Sequence, residues 1–242
     1  MRPVEQSVLV VIPALNEEDS VADVVRDVRQ GIPAARCLVI DDGSSDKTGE
    51  RARAAGAVVL TLPYNLGVGG AMRAGFRFAR TNGYSIVVQV DADGQHDPAV
   101  VRQLIAGLSD SDLMIGARFA GVGDYGVSGP RRWAMRALAR VMSRVAGTQL
   151  TDVTSGFKAA GPRAVALFAD NFPAEYLGDT IEALVIAARA GLTIRQMPVA
   201  MRERQAGNPS HHPVKAAVYL TRACAAFALS MLRPRARLEA LS

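Results

Sequence analysis

Residues 86–98 read IVVQVDADGQHDP, an apolar run that ends in a cluster of carboxylates. The first five residues are typical of a buried strand in a parallel sheet, because such a strand is covered on both faces. Asp97 and Pro98 predict a helix start, with Asp97 as the N-cap and Pro98 in the first helical position. This cap accounts for Asp97 and leaves Asp91 and Asp93 without a structural role. The stretch therefore predicts a strand, a polar turn and a helix in succession.

The same succession recurs through the first half of the chain. Further apolar runs rich in Val and Ile predict strands at Val8–Ile12, Cys37–Ile40, Ala57–Leu60 and Leu113–Ile115. Helical spacing of apolar residues predicts helices at about 17–30, 46–55, 68–81 and 98–108. Alternating strands and helices predict an α/β fold with a mostly parallel central sheet and helices on both faces. Ligands of such sheets bind outside the carboxyl ends of the strands, where the polar turns of this chain fall.

The second half of the chain is less regular. The patterns predict helices at about 130–146 and 178–190, a turn and short strand over Thr151–Ala160, and a strand over Leu192–Val199. A last apolar helix, at about 214–232, is followed by a basic tail. With no internal repeat and no long linker, we expect one main domain over 1–212 and a C-terminal amphipathic helix with its tail over 213–242.

Composition excludes several classes of protein. The 242 residues are 49% hydrophobic and carry a net charge of +5, which excludes a disordered chain. Two cysteines exclude a disulfide scaffold. The apolar run at residues 8–13 is too short for a signal peptide and no uncharged apolar stretch reaches about 18 residues, so we expect a cytoplasmic protein. The basic surplus lies entirely in residues 113–242 and suits phosphates or an anionic membrane surface.

The turn after the Ile86 strand has the composition of a metal site. Asp91, Asp93 and Gln95 offer oxygen ligands within one short turn. Mg²⁺ and Mn²⁺ prefer such ligands and can hold a substrate diphosphate at the same time. We therefore expect a divalent metal here, whereas a simple acidic helix cap would explain only Asp97.

Polar turns follow the other strands as well. In Asp41–Asp46 (DDGSSD), a carboxylate can accept a hydrogen bond from a nucleobase or ribose, or a residue can cap the next helix. Glu18 and Asp19, after Pro13–Glu17, are interpreted as first-turn acids that stabilise a helix dipole. Asn65–Gly70 lacks the Lys-Ser/Thr of a P-loop, so its glycines indicate close packing of a helix on the sheet.

Taken in order, these motifs resemble a known family. IPALNEE, IDDGSSDKT, NLGVGGAMRAGF, VDADGQHDP, IGAR, DVTSGFKA and a late PV…R…G…S span about residues 7–212. The set resembles the family 2 glycosyltransferases of the GT-A fold, and most of all their polyprenyl-phosphate (dolichol-phosphate) mannosyl- and glucosyltransferases. The resemblance implies a GT-A fold and a nucleoside-diphosphate sugar as donor, linked to UDP or GDP.

The resemblance also implies roles for individual residues. The nucleotide site would be lined by Pro13, Leu15, Glu17, Ile40, Asp42, Asp91 and Ala92, with Asp42 as the acceptor of a base N–H. The metal, Mg²⁺ or Mn²⁺, and the diphosphate would be held by Asp91, Asp93 and Gln95.

Arginines of the basic half would bind the acceptor phosphate and the donor diphosphate. The implied residues are Arg118, Arg131, Arg132, Arg202 and Arg204. Guanidinium groups suit this task because they bind phosphate in a bidentate way. The late loop departs from the family pattern, which leaves open whether Arg202 or Arg204 does this work. His211 and His212 replace the basic end of that motif and are interpreted as solvated or as ligands of phosphate or metal.

A polyprenyl phosphate acceptor predicts a particular mechanism. Its phosphate oxygen is anionic near neutral pH and needs no strong base, so catalysis requires positioning and charge stabilisation. We expect a single displacement, for which the family resemblance implies inversion, with Asp93, Arg118 and Asp152 as catalytic residues. Asp152 would bind the sugar, act as a base for an alcohol acceptor, or simply accept backbone N–H bonds in a turn. The product would be a lipid-phosphate sugar for cell-envelope glycan synthesis.

Other functions remain as alternatives at this point. A GT-A enzyme with a soluble or glycan hydroxyl acceptor would use Asp152 or Asp179 as its base. A nucleotidyltransferase is disfavoured because PALNEE replaces its Gly-rich basic loop, and nucleic acid is disfavoured because aromatics are only 5%. We expect peripheral association with the inner face of the cell membrane through residues 213–242, or contact there with a separate membrane protein or a second copy.

Overall fold

The computed structural model describes residues 7–118, 130–174 and 179–200, together with residues 227, 231 and 232. The strands are β1 (Val8–Ala14), β2 (Arg36–Asp41), β3 (Val58–Thr61), β4 (Ile86–Gln89), β5 (Leu113–Ala117), β6 (Lys158–Ala160) and β7 (Ile194–Pro198). The helices are α1 (Val21–Gly31), α2 (Thr48–Ala54), α3 (Gly67–Thr81), α4 (Pro98–Ala106), α5 (Pro130–Ala146), α6 (Pro162–Asn171) and α7 (Asp179–Arg189).

The strands form one sheet in the order β3-β2-β1-β4-β6-β5-β7. Among the described strands only β6 runs antiparallel to its neighbours, β4 and β5, so the predicted mostly parallel α/β sheet is confirmed. The chain crosses from β2 on one side of β1 to β4 on the other. The carboxyl ends of these strands therefore border the switch point at which open α/β sheets bind ligands.

The sheet is buried on both faces. Along β1, Leu9 and Val11 join one buried cluster, whereas Val8, Val10 and Ile12 join the other. Successive side chains of a strand point to opposite faces, so an uninterrupted apolar strand needs helices on both sides. Each buried Val, Leu or Ile contributes about 1.5–3 kcal/mol to folding. This packing makes the central strands a rigid base for the loops that follow them.

Helix α3 lies unusually close to β1. A Cβ on Gly75 would come within 2.7 Å of Val11 Cγ1, so only glycine permits this approach. Gly70 packs on its own loop instead, because a Cβ there would come within 2.4 Å of Leu66 Cβ. Close packing of α3 on the sheet is thus present, one turn beyond the glycine string that predicted it.

The structure corrects two helix boundaries and adds a helix. Helix α1 begins at Val21 rather than near residue 17, so Glu18 and Asp19 lie before it and pair with Arg51. The predicted role of these acids in the first helical turn is therefore wrong. Helix α2 begins at Thr48, two residues after the predicted start near residue 46. Helix α6 (Pro162–Asn171) has no counterpart in the sequence analysis, although proline stands at its first position and its apolar face is buried.

The predicted C-terminal helix falls almost wholly outside the described residues. Phe227, Met231 and Leu232 are helical, and Leu232 is 83% exposed. No helix in the described part of the chain is long and apolar enough to cross a membrane.

Candidate active site

The loops after β1 and β2 hold each other through hydrogen bonds. The backbone N–H of Asn16 donates to Ser44 Oγ at 3.0 Å, and the Ser45 N–H donates to Asn16 Oδ1 at 2.9 Å. Asn16 has φ 55°, a left-handed conformation that asparagine tolerates better than most residues. The reciprocal pair keeps the PALNEE turn in this conformation.

Two further bonds extend the contact between these loops. The Glu17 N–H donates to Thr48 Oγ1 at 2.8 Å, and the Glu18 N–H donates to Asp46 Oδ2 at 3.2 Å. Asp46 Oδ1 also accepts the Thr48 N–H at 2.9 Å. The N-cap of α2 is Lys47, so the predicted cap at Asp46 or Ser45 is wrong, and Asp46 supports the helix start from one residue further out. These hydrogen bonds hold the pKa of Asp46 below its ordinary value against the opposing effect of burial. Most polar residues of the PALNEE and DDGSSD motifs therefore hold the two loops in one conformation before any ligand binds.

Asp42 anchors a third loop, the one between β3 and α3. Its side chain is buried, and its two oxygens accept the N–H groups of Leu66 at 2.7 Å and Gly67 at 2.8 Å. Burial raises the pKa of this carboxyl, while the two backbone hydrogen bonds act in the opposite direction. A carboxylate offers about four acceptor positions, so these two bonds leave capacity for a ligand N–H.

The other residues assigned to the nucleotide differ in exposure. Leu15 is exposed at the end of β1, and Pro13 beside it is buried. Ile40 is completely enclosed in the core, so its side chain belongs to the packing of the sheet. Glu17 is partly buried, and its carboxylate accepts the Ser20 hydroxyl at 2.9 Å.

The turn after β4 is organised by a residue that the sequence analysis did not assign, His96. Its Nδ1 accepts the backbone N–H of Asp91 at 3.0 Å, and its Nε2 lies 3.6 Å from Asp91 Oδ2. The buried ring stacks on Phe157, with centroids 4.5 Å apart and planes 12° from parallel. Because Nδ1 accepts a hydrogen bond, the neutral ring carries its proton on Nε2, facing the Asp91 carboxylate. The position of His96 inside the DADGQH motif was the feature of the sequence that could have pointed to this role.

Two more unassigned residues surround the Asp91 carboxylate. Gln89 is buried and its Nε2 donates to Asp91 Oδ1 at 3.4 Å, while its Oε1 has no partner among the described residues. A Cβ on Gly156 would lie 3.1 Å from Asp91 Oδ1 and 2.9 Å from Gln89 Nε2. Glycine at position 156 therefore leaves room for the carboxylate, which explains the glycine of the SGFKA motif.

The donor set on this turn fits a divalent cation that shares its ligands with a substrate. Asp91, Asp93 and Gln95 are all partly exposed, and the Asp91 side chain is 40% exposed. Ala92 between them is buried and fixes the turn to the sheet. The described residues contain no group of three or more His, Cys, Asp or Glu able to hold a metal. Two carboxylates and one amide suit Mg²⁺ or Mn²⁺ when diphosphate oxygens complete the coordination.

Arg118 and Asp152 form the most enclosed ion pair of the described structure. Arg118 follows β5 and donates Nε to Asp152 Oδ2 at 2.7 Å and Nη2 to Asp152 Oδ1 at 3.1 Å. Its backbone N–H also reaches Oδ2, at 3.2 Å. Thr154 adds its N–H and its hydroxyl, at 3.1 and 3.0 Å, both to Asp152 Oδ1. The Asp152 side chain is thus fully buried among five donors.

This network decides the protonation state of Asp152. Burial alone would raise the pKa of the carboxyl, but the bonds and charge of Arg118 outweigh it and hold the pKa below its ordinary value. A carboxylate of low pKa whose oxygens already accept five hydrogen bonds is a weak proton acceptor. The contacts of Asp152 therefore fit a residue that accepts backbone N–H bonds in a turn better than a residue that acts as a catalytic base.

The segment from Asp152 to Phe157 brings the two clusters together. Asp152 binds Arg118, whereas Gly156 packs against Asp91. The Gly116 N–H donates to the Phe157 carbonyl at 2.9 Å and ties the segment to β5. The carboxylate turn and the arginine therefore flank one segment at the carboxyl ends of β4 and β5.

The remaining predicted site residues are only partly described or not described. Arg131 and Arg132 lie in the first turn of α5 and Asp179 begins α7, with only their backbone described. The other predicted residues of this group fall outside the described ranges: Arg202, Arg204, His211 and His212.

With this geometry in view, comparisons with known proteins place the chain among glycosyltransferases of the GT-A fold. Residues 9–166 match the family description "Glycosyl transferase family 2". The chain therefore belongs to glycosyl transferase family 2, and the expected family and fold are confirmed.

Individual relatives agree with this assignment. The chain is 33% identical over 211 residues to an undecaprenyl-phosphate mannosyltransferase of Micrococcus luteus, covering 83% of this chain and 85% of the relative. It is 33% identical over 167 residues to a polyprenol monophosphomannose synthase of Mycolicibacterium smegmatis, covering 66% of this chain and 63% of the relative. A similar solved structure is glucosyl-3-phosphoglycerate synthase of Mycobacterium tuberculosis with Mn²⁺, UDP and phosphoglyceric acid. It has a TM-score of 0.69 and 25% identity, covering 97% of this chain and 85% of that one.

Proposed function

We propose that this glycosyltransferase moves a sugar from a UDP- or GDP-linked donor to a polyprenyl phosphate, with inversion and with Mg²⁺ or Mn²⁺ as cofactor. A phosphate oxygen of the lipid attacks the anomeric carbon. The bond from that carbon to the donor diphosphate breaks, and the nucleoside diphosphate leaves with the electron pair. The names of the Micrococcus luteus and Mycolicibacterium smegmatis relatives support this class of acceptor.

The observation that carries the proposal is the Arg118–Asp152 pair. Transfer to a hydroxyl requires a base to remove its proton, and Asp152 is engaged by five donors with its pKa held low. Transfer to a phosphate requires no such base, because the nucleophile is already an anion. It requires an oriented cation, and Asp152 orients the Arg118 guanidinium at the end of β5. The pair therefore fits an anionic acceptor better than a neutral one.

The carboxylate turn suits the donor side of the reaction. Asp91, Asp93 and Gln95 would hold the divalent cation, which when bound neutralises charge on the departing diphosphate. The interlocked loops after β1 and β2 would receive the nucleotide, with Leu15 and the remaining acceptor positions of Asp42 facing the base. Arg131, Arg132, Arg202 and Arg204 stay proposed phosphate ligands, and the catalytic domain is proposed to span 1–212.

A hydroxyl or soluble acceptor is the second candidate. It is favoured by the Mycobacterium tuberculosis structure, which contains the soluble compound phosphoglyceric acid. Such a reaction would need Asp152 or Asp179 as its base. The two candidates differ in the acceptor that is consumed, which makes them separable in one assay.

The deciding experiment supplies the purified chain with matched acceptors. UDP- and GDP-sugars would be incubated with Mn²⁺ and with polyprenyl phosphate, the corresponding polyprenol, or phosphoglyceric acid. We expect product from polyprenyl phosphate alone, detected by thin-layer chromatography and mass spectrometry. Product from polyprenol or phosphoglyceric acid at comparable rates would contradict the proposal. A thermal-shift screen of UDP and GDP with and without Mn²⁺ identifies the nucleobase of the donor, uracil or guanine.

The lipid acceptor also implies a location. We propose that the enzyme works at the inner face of the cell membrane, with residues 213–242 contacting the bilayer, a membrane protein or a second copy. Vesicle binding of the intact chain tests this part independently of turnover.

A further inference from the structure

Helix α5 presents a stripe of three arginines on its outer face. Its other face, Leu138, Ala139 and Met142, is buried in the core. Arg136, Arg140 and Arg144 are exposed and recur every four residues, so each is rotated about 40° from the last and the stripe is about 12 Å long. The exposed residues between them are small or apolar, Ala137 and Val141.

The stripe is not neutralised within the described structure. Helix α5 contains no Asp or Glu among its 17 residues. None of the three arginines makes an ion pair or hydrogen bond with another described residue. Exposed arginines elsewhere commonly do, as in Arg26–Asp23, Arg51–Glu18, Arg80–Asp170, Arg163–Asp112 and Arg195–Asp110. An acid-free row of unpaired guanidiniums favours an extended anionic partner.

The C-terminal end of the stripe is connected to the candidate acceptor site by a short turn. After α5 the chain turns back at once, because the Leu150 N–H donates to Ser143 Oγ at 2.9 Å. Ser143 is adjacent to Arg144, and Leu150 stands two residues before Asp152. The C-terminal end of α5 is therefore linked by a short, hydrogen-bonded turn to the residue that orients Arg118.

We propose that the Arg136–Arg140–Arg144 face of α5 docks on the headgroups of an anionic bilayer. The choice of a bilayer rests on the proposed function, because a polyprenyl phosphate is presented from one. Ala137 and Val141 offer too little apolar surface for insertion, so the contact is electrostatic and lies at headgroup level. Docking of this face would bring the Arg118–Asp152 pair to the surface from which the lipid phosphate emerges.

The test measures vesicle binding of the full chain without nucleotide or polyprenyl phosphate. Wild-type protein is expected to co-sediment with phosphatidylglycerol-containing vesicles and not with phosphatidylcholine vesicles. Each basic residue near an anionic surface contributes about fivefold, so R136Q/R140Q/R144Q should weaken binding roughly 100-fold at low salt. R136K/R140K/R144K should stay within about twofold of wild type, since headgroup binding depends on charge. Binding should also fall steeply as NaCl rises from about 0.05 to about 0.5 M.

The matched control is R26Q/R36Q/R102Q, which removes the same charge from three exposed arginines on other elements. It should bind vesicles within about twofold of wild type, and circular dichroism checks that all variants fold. Four results would overturn the proposal: no binding by wild type, undiminished binding by the stripe variant, equal loss in the control, or equal binding to neutral vesicles. Tighter binding of RNA, lost in the same variant, would assign the face to nucleic acid instead.

The vesicle result is independent of the chemistry. If the stripe variant loses vesicle binding but wild type never glycosylates polyprenyl phosphate, the docking face stands and the proposed function fails. If the enzyme transfers sugar to polyprenyl phosphate and the stripe variant binds vesicles as tightly as wild type does, the proposed function stands and the docking face fails.

Discussion

The loops after β1 and β2 and the outer face of α5 are both rich in polar residues, yet they use them in opposite ways. In the loops, Asn16, Ser45 and Thr48 bind groups of the neighbouring loop. On α5, Arg136, Arg140 and Arg144 make no hydrogen bond or ion pair with any described residue. A small ligand with a fixed shape is best bound by preorganised groups, whereas a diffuse anionic surface needs only accessible charge. The Arg118–Asp152 pair lies between these extremes, as a charge that is held in place.

The largest expected effect is at the carboxylate turn, whose side chains, like those of the β1 and β2 loops, are held in place by neighbouring residues. Asp91→Asn should lower kcat/KM roughly 1,000-fold, because charge stabilisation by a metal is worth several kcal/mol. Mn²⁺ affinity, measured by titration calorimetry in the presence of nucleotide, should fall in parallel. Asp97→Asn is the control, since asparagine also caps helices and Asp97 accepts the Ala99 N–H at 3.0 Å in the cap. Equal losses in both variants would show a folding effect instead.

Asp152→Asn tests whether Arg118 acts as an oriented cation. The amide retains one acceptor oxygen but loses the charge, so we expect transfer to polyprenyl phosphate to fall about 100-fold, mainly through KM for the acceptor. The measurement is initial rate against acceptor concentration, with nucleotide affinity as an unchanged reference. A fall in kcat alone, with KM retained, would instead indicate a base and favour a hydroxyl acceptor.

His96 should have a smaller effect, as a residue that positions Asp91. Loss of such an orienting partner lowers metal affinity about 10–100-fold, so His96→Ala should weaken Mn²⁺ binding by about tenfold or more. His96→Asn should recover much of this loss, because its Oδ1 can replace Nδ1 as the acceptor of the Asp91 N–H. Mn²⁺ affinity and the KM for donor are measured side by side. If both variants bind Mn²⁺ as wild type does, His96 only fills the core.

Asn16 tests the preorganisation of the nucleotide loops. Asn16→Ala removes the acceptor of the Ser45 N–H and leaves a β-carbon in a left-handed conformation, at a cost of about 1–3 kcal/mol. Asn16→Gly loses the same hydrogen bond but relieves the conformational strain, so it should be less destabilised than Asn16→Ala. Urea unfolding measures the free energies, and equal values for the two variants would remove strain from the explanation.

The smallest effect concerns acid stability. The pKa of Asp152 is lowered in the folded protein, so its ion pair stabilises the fold above the ordinary carboxyl pKa of about 3.9 and is lost as pH falls through the folded value. Asp152→Asn lacks this dependence. The stability difference between wild type and variant should therefore shrink as pH is lowered below about 4. A difference that grows on acidification would have the wrong sign for a depressed pKa.

Much of the fold was predictable because its signals are local. The apolar runs at Val8–Ile12 and Ile86–Val90 are long enough to indicate buried strands, and the Asp97 cap identifies the start of α4. The start of α1 was misplaced because Glu18 and Asp19 look like first-turn acids, yet Arg51 of α2 draws them into a turn. Helix α6 was missed because its burial depends on α3, with Arg77 and Arg80 reaching the residues at its end.

The candidate site divides in the same way. Motif order identified the carboxylate turn and Arg118, since those residues are contiguous in the chain or recur in the family resemblance. Gly156 was not predicted because its role rests on a contact with Asp91, which is distant in the sequence. His96 and Gln89 are close to Asp91 in the sequence, but which side chains of a turn bind each other depends on its three-dimensional geometry. Asp152 was recognised as important, but its engagement by Arg118 spans 34 residues and no local pattern encodes it.

The sequence by itself determined the α/β class, the family and the carboxylate-rich turn, because strand burial and short motifs depend on neighbouring residues. Only the tertiary structure decided which polar groups hold each other and which remain available to a ligand. The reason is that a hydrogen bond or an ion pair needs two groups within about 3 Å, and the fold alone sets that distance for residues far apart in the chain. By that measure Asp152 is engaged, Asp91 is positioned, and the arginines of α5 face outward.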